Sequence, residues 1–190
     1  MRKVFYILGI LEDADIEWMA QRGRQITVES GTTLICQGEP IGDLFILLDG
    51  QLTVLVRVGE VREVARLEPG EVIGEISFVD RRLPTASVIA QKNSRLLSLS
   101  RTELEDKIAR DAGFAGRFYR AVATFLADRL ALTTSRFGYG DASQDSTQDQ
   151  DPSELDDSRM DEISLAAVRF DKLLRYLSQE QHGGSFAAVR

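Results

Sequence analysis

Between Gln25 and Ser100 the chain is interrupted too often for a long helix to form. Short apolar or alternating runs occur at Ile26–Val28, Thr33–Cys36, Leu44–Leu48, Leu52–Val58, Val61–Leu67, Val72–Ile73, Ala86–Ala90 and Leu96–Leu99. Turn residues separate them: Gly31, Gly38-Glu39-Pro40, Asp49-Gly50, Gly59-Glu60, Pro69-Gly70 and Lys92-Asn93-Ser94. Asp49-Gly50 reads as a hairpin turn, because both residue types tolerate positive φ. About eight short strands at this spacing predict a sandwich or barrel.

Helical patterns flank this region. Val4 to Leu11 is an apolar lead-in that imitates a short signal peptide, but Glu12-Asp13 follows it without a small-residue cleavage site. Asp13 or Asp15 can cap a helix to about Arg22, with Ile16 and Met19 on one face and Gly23 as the stop. Ser100-Arg101-Thr102-Glu103 has the form of a capping box and predicts a short helix to about Ala109. A longer helix is expected over residues 111–136. Its apolar stripe carries Phe114, Phe118, Val122, Phe125, Leu126, Leu130 and Leu132. The stripe can either cover the strands or pair with its twin in a second copy. Residues 138–158 are rich in Asp, Ser and Gln and almost free of apolar residues, which predicts an acidic flexible linker. Helical periodicity returns over 159–180 through Met160, Ile163, Ala167, Phe170, Leu174 and Leu177, and residues 181–190 read as a frayed tail. The units are therefore 1–137, 138–158, 159–180 and 181–190.

The residue inventory excludes much chemistry. One cysteine and one histidine cannot form an internal disulfide or a zinc site together, and they leave no His-based acid–base pair. Cys36, in the apolar run Leu34-Ile35-Cys36, reads as a buried structural thiol. A net charge of −7 argues against an extended nucleic-acid-binding face. No run reaches the length needed to cross a bilayer, so a cytoplasmic, non-enzymatic protein is expected.

The candidate site is Gly74 to Val88, read as a loop that carries Glu75, small hydroxyl residues and arginines. Glycine permits close backbone approach to a ligand, and a carboxylate next to it can accept hydrogen bonds from a sugar hydroxyl. This stretch resembles the phosphate-binding cassette of the cyclic-nucleotide-binding domain, as in catabolite-activator proteins and kinase regulatory subunits. The resemblance covers roughly the first two thirds of the chain. It implies an α+β fold: a jelly-roll-like β-roll of about eight strands, flanking helices and a long dimerisation-type helix. It also implies that Gly74 opens the cassette, that Glu75 binds a ribose 2′-hydroxyl and that Ser77 lies beside the ligand. Ala86-Ser87-Val88 matches the family's Ala-Thr-Val ending, and Thr85 completes the set.

One departure bears on the ligand. The family's phosphate-pairing arginine falls at Pro84, which has neither charge nor N–H. Its loss removes a contact worth about tenfold to a hundredfold in affinity. Arg81 and Arg82 stand just upstream, and Arg117, Arg120 and Arg129 lie on the long helix. The layout resembles bacterial activator-type cyclic-di-GMP receptors without a DNA-binding domain. It implies a cyclic-di-GMP receptor that pairs the ligand with Arg81 and Arg82, forms a homodimer and signals through a protein partner, such as a transcription factor. Cyclic AMP held through the same arginines, and a ligand-free interaction module, are the alternatives.

Overall fold

The computed structural model describes residues 6–138 and 157–183. Residues 139–156 of the expected linker and 184–190 of the expected tail lie outside the described residues, whereas the last helix begins at Asp157 and runs to Gly183, beyond both expected bounds. The chain runs α1 (Tyr6–Ile10), α2 (Asp13–Arg22), β1 (Arg24–Val28), β2 (Thr33–Ile35), β3 (Asp43–Asp49), β4 (Leu52–Val58), β5 (Glu60–Leu67) and β6 (Val72–Ile73). It continues through α3 (Glu75–Asp80), β7 (Ser87–Ala90), β8 (Ser94–Ser100), α4 (Arg101–Arg110), α5 (Ala112–Gly138) and α6 (Asp157–Gly183). Two antiparallel four-stranded sheets, ordered β1-β8-β3-β6 and β2-β7-β4-β5, face each other as a β-roll. The α+β β-roll expected from the sequence is the fold observed.

Asp49-Gly50 does not make a hairpin. β3 pairs with β8 and β6, whereas β4 pairs with β5 and β7, so this turn carries the chain from one sheet to the other. Gly50 has φ 102, and a Cβ there would run into Ser94, whose Oγ accepts the Gln51 N–H at 3.1 Å. The hairpin lies one turn later, at Gly59 between β4 and β5.

β3 explains how the layers join. Phe45 and Leu47 point between the sheets with Val28, Ile35, Leu52, Leu67, Ile73 and Val88. Leu44, Ile46 and Leu48 point the other way, towards helical residues such as Ile16, Met19, Phe114 and Phe118. A strand buried on both faces reads as a continuous apolar run, as Leu44–Leu48 does. Each such side chain taken out of water contributes about 1.5–3 kcal/mol.

The helices mostly follow their sequence signals, with differences at two caps, and the thiol expected to be buried is not. α2 has Glu12 as its N-cap, and Asp15 Oδ2 accepts the Glu12 N–H at 2.8 Å. Ser100 makes no side-chain cap to α4, and Glu103 lies 3.9 Å from Arg22 instead of closing a capping box. The Arg101 N–H is satisfied by Gly42 O at 2.9 Å. Cys36 is exposed, because β2 ends at Ile35 and the chain turns at once towards Gly38.

α5 lays Phe114, Phe118, Val122 and Phe125 onto the roll, so much of its stripe is covered by its own domain. α6 does the same on a seam rotated from the expected one. Ala166, Leu173 and Leu177 are buried and Phe170 packs beside them, whereas Leu174 is only half-buried. The α6 seam contacts α1 and α2. Arg169 donates to the Leu8 and Gly9 carbonyls at 3.2 and 2.8 Å, capping the C-terminal end of α1. Arg169 and Lys172 both bind Asp13, at 3.1 and 2.6 Å.

Candidate functional site

The cassette is a short helix rather than a loop. Gly74, at φ 92, reverses the chain after β6, and α3 then runs for six residues to Arg81, itself left-handed at φ 56. The sequence concealed this helix because its two ends are set by backbone handedness and not by side-chain caps. Gly74 is required by its φ, and a Cβ there would also press on Ile41 Cδ1 at 2.8 Å and the Asp43 carbonyl at 3.3 Å. Phe78 turns into the helical core, where its ring meets Phe118 of α5 edge-on at 5.5 Å. Arg101 from α4 lies over the Phe78 ring at 5.3 Å and donates to the Ser77 carbonyl.

This arrangement borders a partly open cavity of about 80 Å³ inside the roll. Apolar side chains form its walls, Ile35, Val54, Leu67 and Val88 from one sheet and Ile73 from the other. Gly74, Glu75, Ile76 and Ser77 border it on one side, and Pro84, Thr85 and Ala86 on another. Of the eight residues expected to bind ligand, five therefore meet here: Gly74, Glu75, Ser77, Thr85 and Ala86.

The other three are placed differently. Ser87 Oγ accepts the Gln37 N–H at 2.9 Å and thereby anchors the 36–40 turn. Gly38 N–H, bound to Pro84 O at 2.8 Å, fastens the same turn. The Arg81 and Arg82 side chains are 77% and 75% exposed, paired with Glu105 and Asp80 respectively, and they do not border the cavity. Arg62 and Arg66 on β5 are also exposed, and Arg66 binds Glu63 at 2.7 Å.

The charge at the cavity comes from elsewhere. Arg129, on α5, lines it. Its Nη1 donates to Glu75 Oε1 at 2.5 Å, its Nη2 lies 3.6 Å from Glu71 Oε2, and its guanidinium rests on the Phe125 ring at 4.7 Å. Glu75 is 3% exposed. Burial pushes its carboxyl above the ordinary range, outweighing the opposing pull of Arg129 and of the Gly74 and Glu75 backbone N–H groups. Residue counting does not select Arg129 from the three arginines of the long helix, but its position does. Phe118, Val122, Phe125 and Arg129 follow one another at helical spacing, so Arg129 continues the buried stripe. Arg120 falls off that stripe and is exposed.

Among the described residues there is no group of three or more His, Cys, Asp or Glu placed to hold a metal, and no helix long and apolar enough to cross a membrane. What the site offers is an apolar hollow, a buried carboxylate able to bind a hydroxyl, and one guanidinium.

Comparison with known proteins finds similarity of one kind over part of the chain. The sequence model of the cyclic nucleotide-binding domain matches residues 25–111. The chain is 36% identical over 78 residues to the cAMP-dependent protein kinase type I-alpha regulatory subunit of Mesocricetus auratus, covering 40% of this chain and 47% of that one. It is 30% identical over 115 residues to the Pycsar effector protein XpPycTIR of Xanthomonas perforans, covering 60% and 37%. Both matches span less than half of the relative's length. Among solved structures, a cyclic nucleotide-binding domain from Methylobacillus flagellatus superposes with TM-score 0.67 at 17% identity, over 75% of this chain and 84% of the other. The catabolite activator protein of Thermus thermophilus gives 0.60 at 18% identity, over 93% and 88%.

Proposed function

With residues 25–111 belonging to the cyclic nucleotide-binding domain family, we propose that this chain is a non-enzymatic receptor for a nucleotide second messenger bound inside the roll. The observation that carries the reading is the convergence of Gly74, buried Glu75, Ser77, Thr85 and Ala86 on one cavity. The apolar walls suit a base or ribose face, and the Glu75 carboxylate suits a ribose hydroxyl.

The geometry supports a single cyclic nucleotide better than cyclic di-GMP. A dinucleotide brings two phosphates and two guanines, whereas the cavity is small and one described cation borders it. Arg81 and Arg82 face outward, onto surface carboxylates. For cyclic di-GMP they would have to bind the half of the ligand left outside the roll.

The output is placed on protein contacts. An acidic chain of net charge −7 is a poor nucleic-acid binder, whereas α6 is a docked helix that a partner protein, such as a transcription factor, could engage. Self-association across α5 would use its C-terminal half, where Leu130 is 65% exposed. Calorimetric titration with cyclic AMP, cyclic GMP and cyclic di-GMP tests the ligand. Binding of a mononucleotide supports this reading, and binding of cyclic di-GMP alone would establish the dinucleotide receptor. Silence with all three, extended to the remaining 3′,5′-cyclic ribonucleotides, would leave a ligand-free interaction module.

A further inference from the structure

We infer that Arg129 takes over the phosphate contact that Pro84 cannot make, and that it reaches the ligand by leaving Glu75 and Glu71. The inference rests on the receptor reading above and concerns how that receptor holds its ligand.

Three observations carry it. First, an anion entering this cavity meets only one cation among the described residues that line it, and that cation comes from α5 rather than from the cassette. Second, the cavity, partly open to solvent and of about 80 Å³, is well below the roughly 300–1,000 Å³ of ordinary ligand pockets, so a nucleotide needs more room than its walls now leave. The described lining residues other than Arg129 belong to strands or to the loops and short helix joined to them. Displacing Arg129 enlarges the site without breaking a sheet.

Third, Arg129 is held by partners that a nucleotide can replace. Its guanidinium stands between two carboxylates, Glu75 at 2.5 Å and Glu71 at 3.6 Å, a locus of net negative charge that by itself repels phosphate. A ribose hydroxyl can donate to Glu75 in place of the guanidinium, and the guanidinium can then present its fork to two phosphate oxygens. Burial disfavours the Glu75 charge and Arg129 opposes that effect, so the exchange requires the ribose hydroxyl to take up the bond that the guanidinium gives up. Because Arg129 sits on the helix that carries Phe118 and Phe125, the movement that frees it is passed to α5. Ligand binding then reads out as a shift of that helix against the roll.

The test compares wild type, Arg129→Gln and Arg129→Gln/Pro84→Arg. Calorimetry is run with a 3′,5′-cyclic ribonucleotide and with its phosphate-free nucleoside, cyclic AMP and adenosine first. Arg129→Gln is expected to weaken the cyclic nucleotide about tenfold to a hundredfold and to leave the nucleoside unchanged. It should also flatten the salt dependence of binding. Pro84→Arg, which restores a cation to the cassette, should recover part of the loss. Equal affinity in wild type and Arg129→Gln would overturn the inference, as would an equal loss for nucleotide and nucleoside, because the role would then be structural. Were Arg129→Gln unable to fold, Arg129→Lys would replace it. Loss of the fork there should cost several-fold on the nucleotide alone, and no loss would count against the handover. A wild type that binds no cyclic nucleotide would remove the receptor reading itself, a result distinct from a wild type that binds independently of Arg129.

Discussion

α5 carries two arginine–carboxylate pairs that look alike and behave differently. Near its start, Arg117 grips Asp15 of α2 with Nε and Nη2, at 2.7 and 2.9 Å, and lies 3.3 Å from Glu12. About 18 Å along the helix, Arg129 holds Glu75. Asp15 and Glu75 are equally inaccessible, each with 3% of its side chain exposed. The difference lies in what surrounds each carboxylate and in how its arginine binds it. Asp15 also accepts the Glu12 N–H, and its fork is set beside a packed wall in which Trp18 meets Phe114 at 5.5 Å. The bond to Asp15 raises the Arg117 pKa, as a well-formed pair should. Glu75 borders a cavity, shares its arginine with Glu71, and stays harder to ionise than an ordinary glutamate. The same ingredients therefore make a clasp at one end of the helix and a releasable contact at the other.

The largest effect should come from breaking the clasp. Asp15→Asn leaves Arg117 without its fork partner at a buried position, and a loss of about 3 kcal/mol is expected in urea unfolding. If the two pairs were equivalent, Glu75→Gln would cost as much. It is expected to change stability by less than about 1 kcal/mol at neutral pH, because it removes a carboxylate whose charge burial disfavours.

The pH dependence sharpens the contrast. The folded Glu75 carboxyl holds its proton to higher pH than its ordinary value of 4.5. Its contribution to stability is therefore complete below that value and is lost as pH rises through the folded one. Denaturation midpoints measured across this window should fall in the wild type and flatten in Glu75→Gln. Asp13 has the opposite sign: bonds first to Lys172 and then to Arg169 hold it below its ordinary 3.8. Its contribution is present above that value and lost as pH falls through the folded one. Since Asp13 is 60% exposed, Asp13→Asn should leave global unfolding within about 0.5 kcal/mol of wild type. The change should appear as faster amide exchange confined to α6.

Much of the strand framework was legible because its turns are marked by Gly, Pro, Asp and Asn, whose backbone preferences act locally. What escaped was decided at a distance. Asp49-Gly50 has the same turn chemistry in a hairpin as in a crossover, and only the partners of β3 and β4 tell them apart. Cys36 follows two apolar residues, yet its exposure depends on where β2 stops. The α6 seam moved because α1 and α2 choose which face is covered, and a short heptad pattern fits two neighbouring registers. At the site, Glu75 could be found from its cassette because the motif is contiguous. Arg129 stands 54 residues away, and nothing between the two announces that α5 will cross the cavity.

The pairing of β1 with β8 also governs when this protein can assemble. Arg24 lies opposite Ser98 and Val28 opposite Ser94, so the first strand has no sheet partner until the last has been synthesised. Contacts of such high sequence separation fold slowly, since chain closure must precede the gain from pairing. A nascent chain halted before Ser94 keeps the inward face of β1 exposed, with Val28 uncovered. The cavity needs β7 and then α5, so it can be completed only after both have been made.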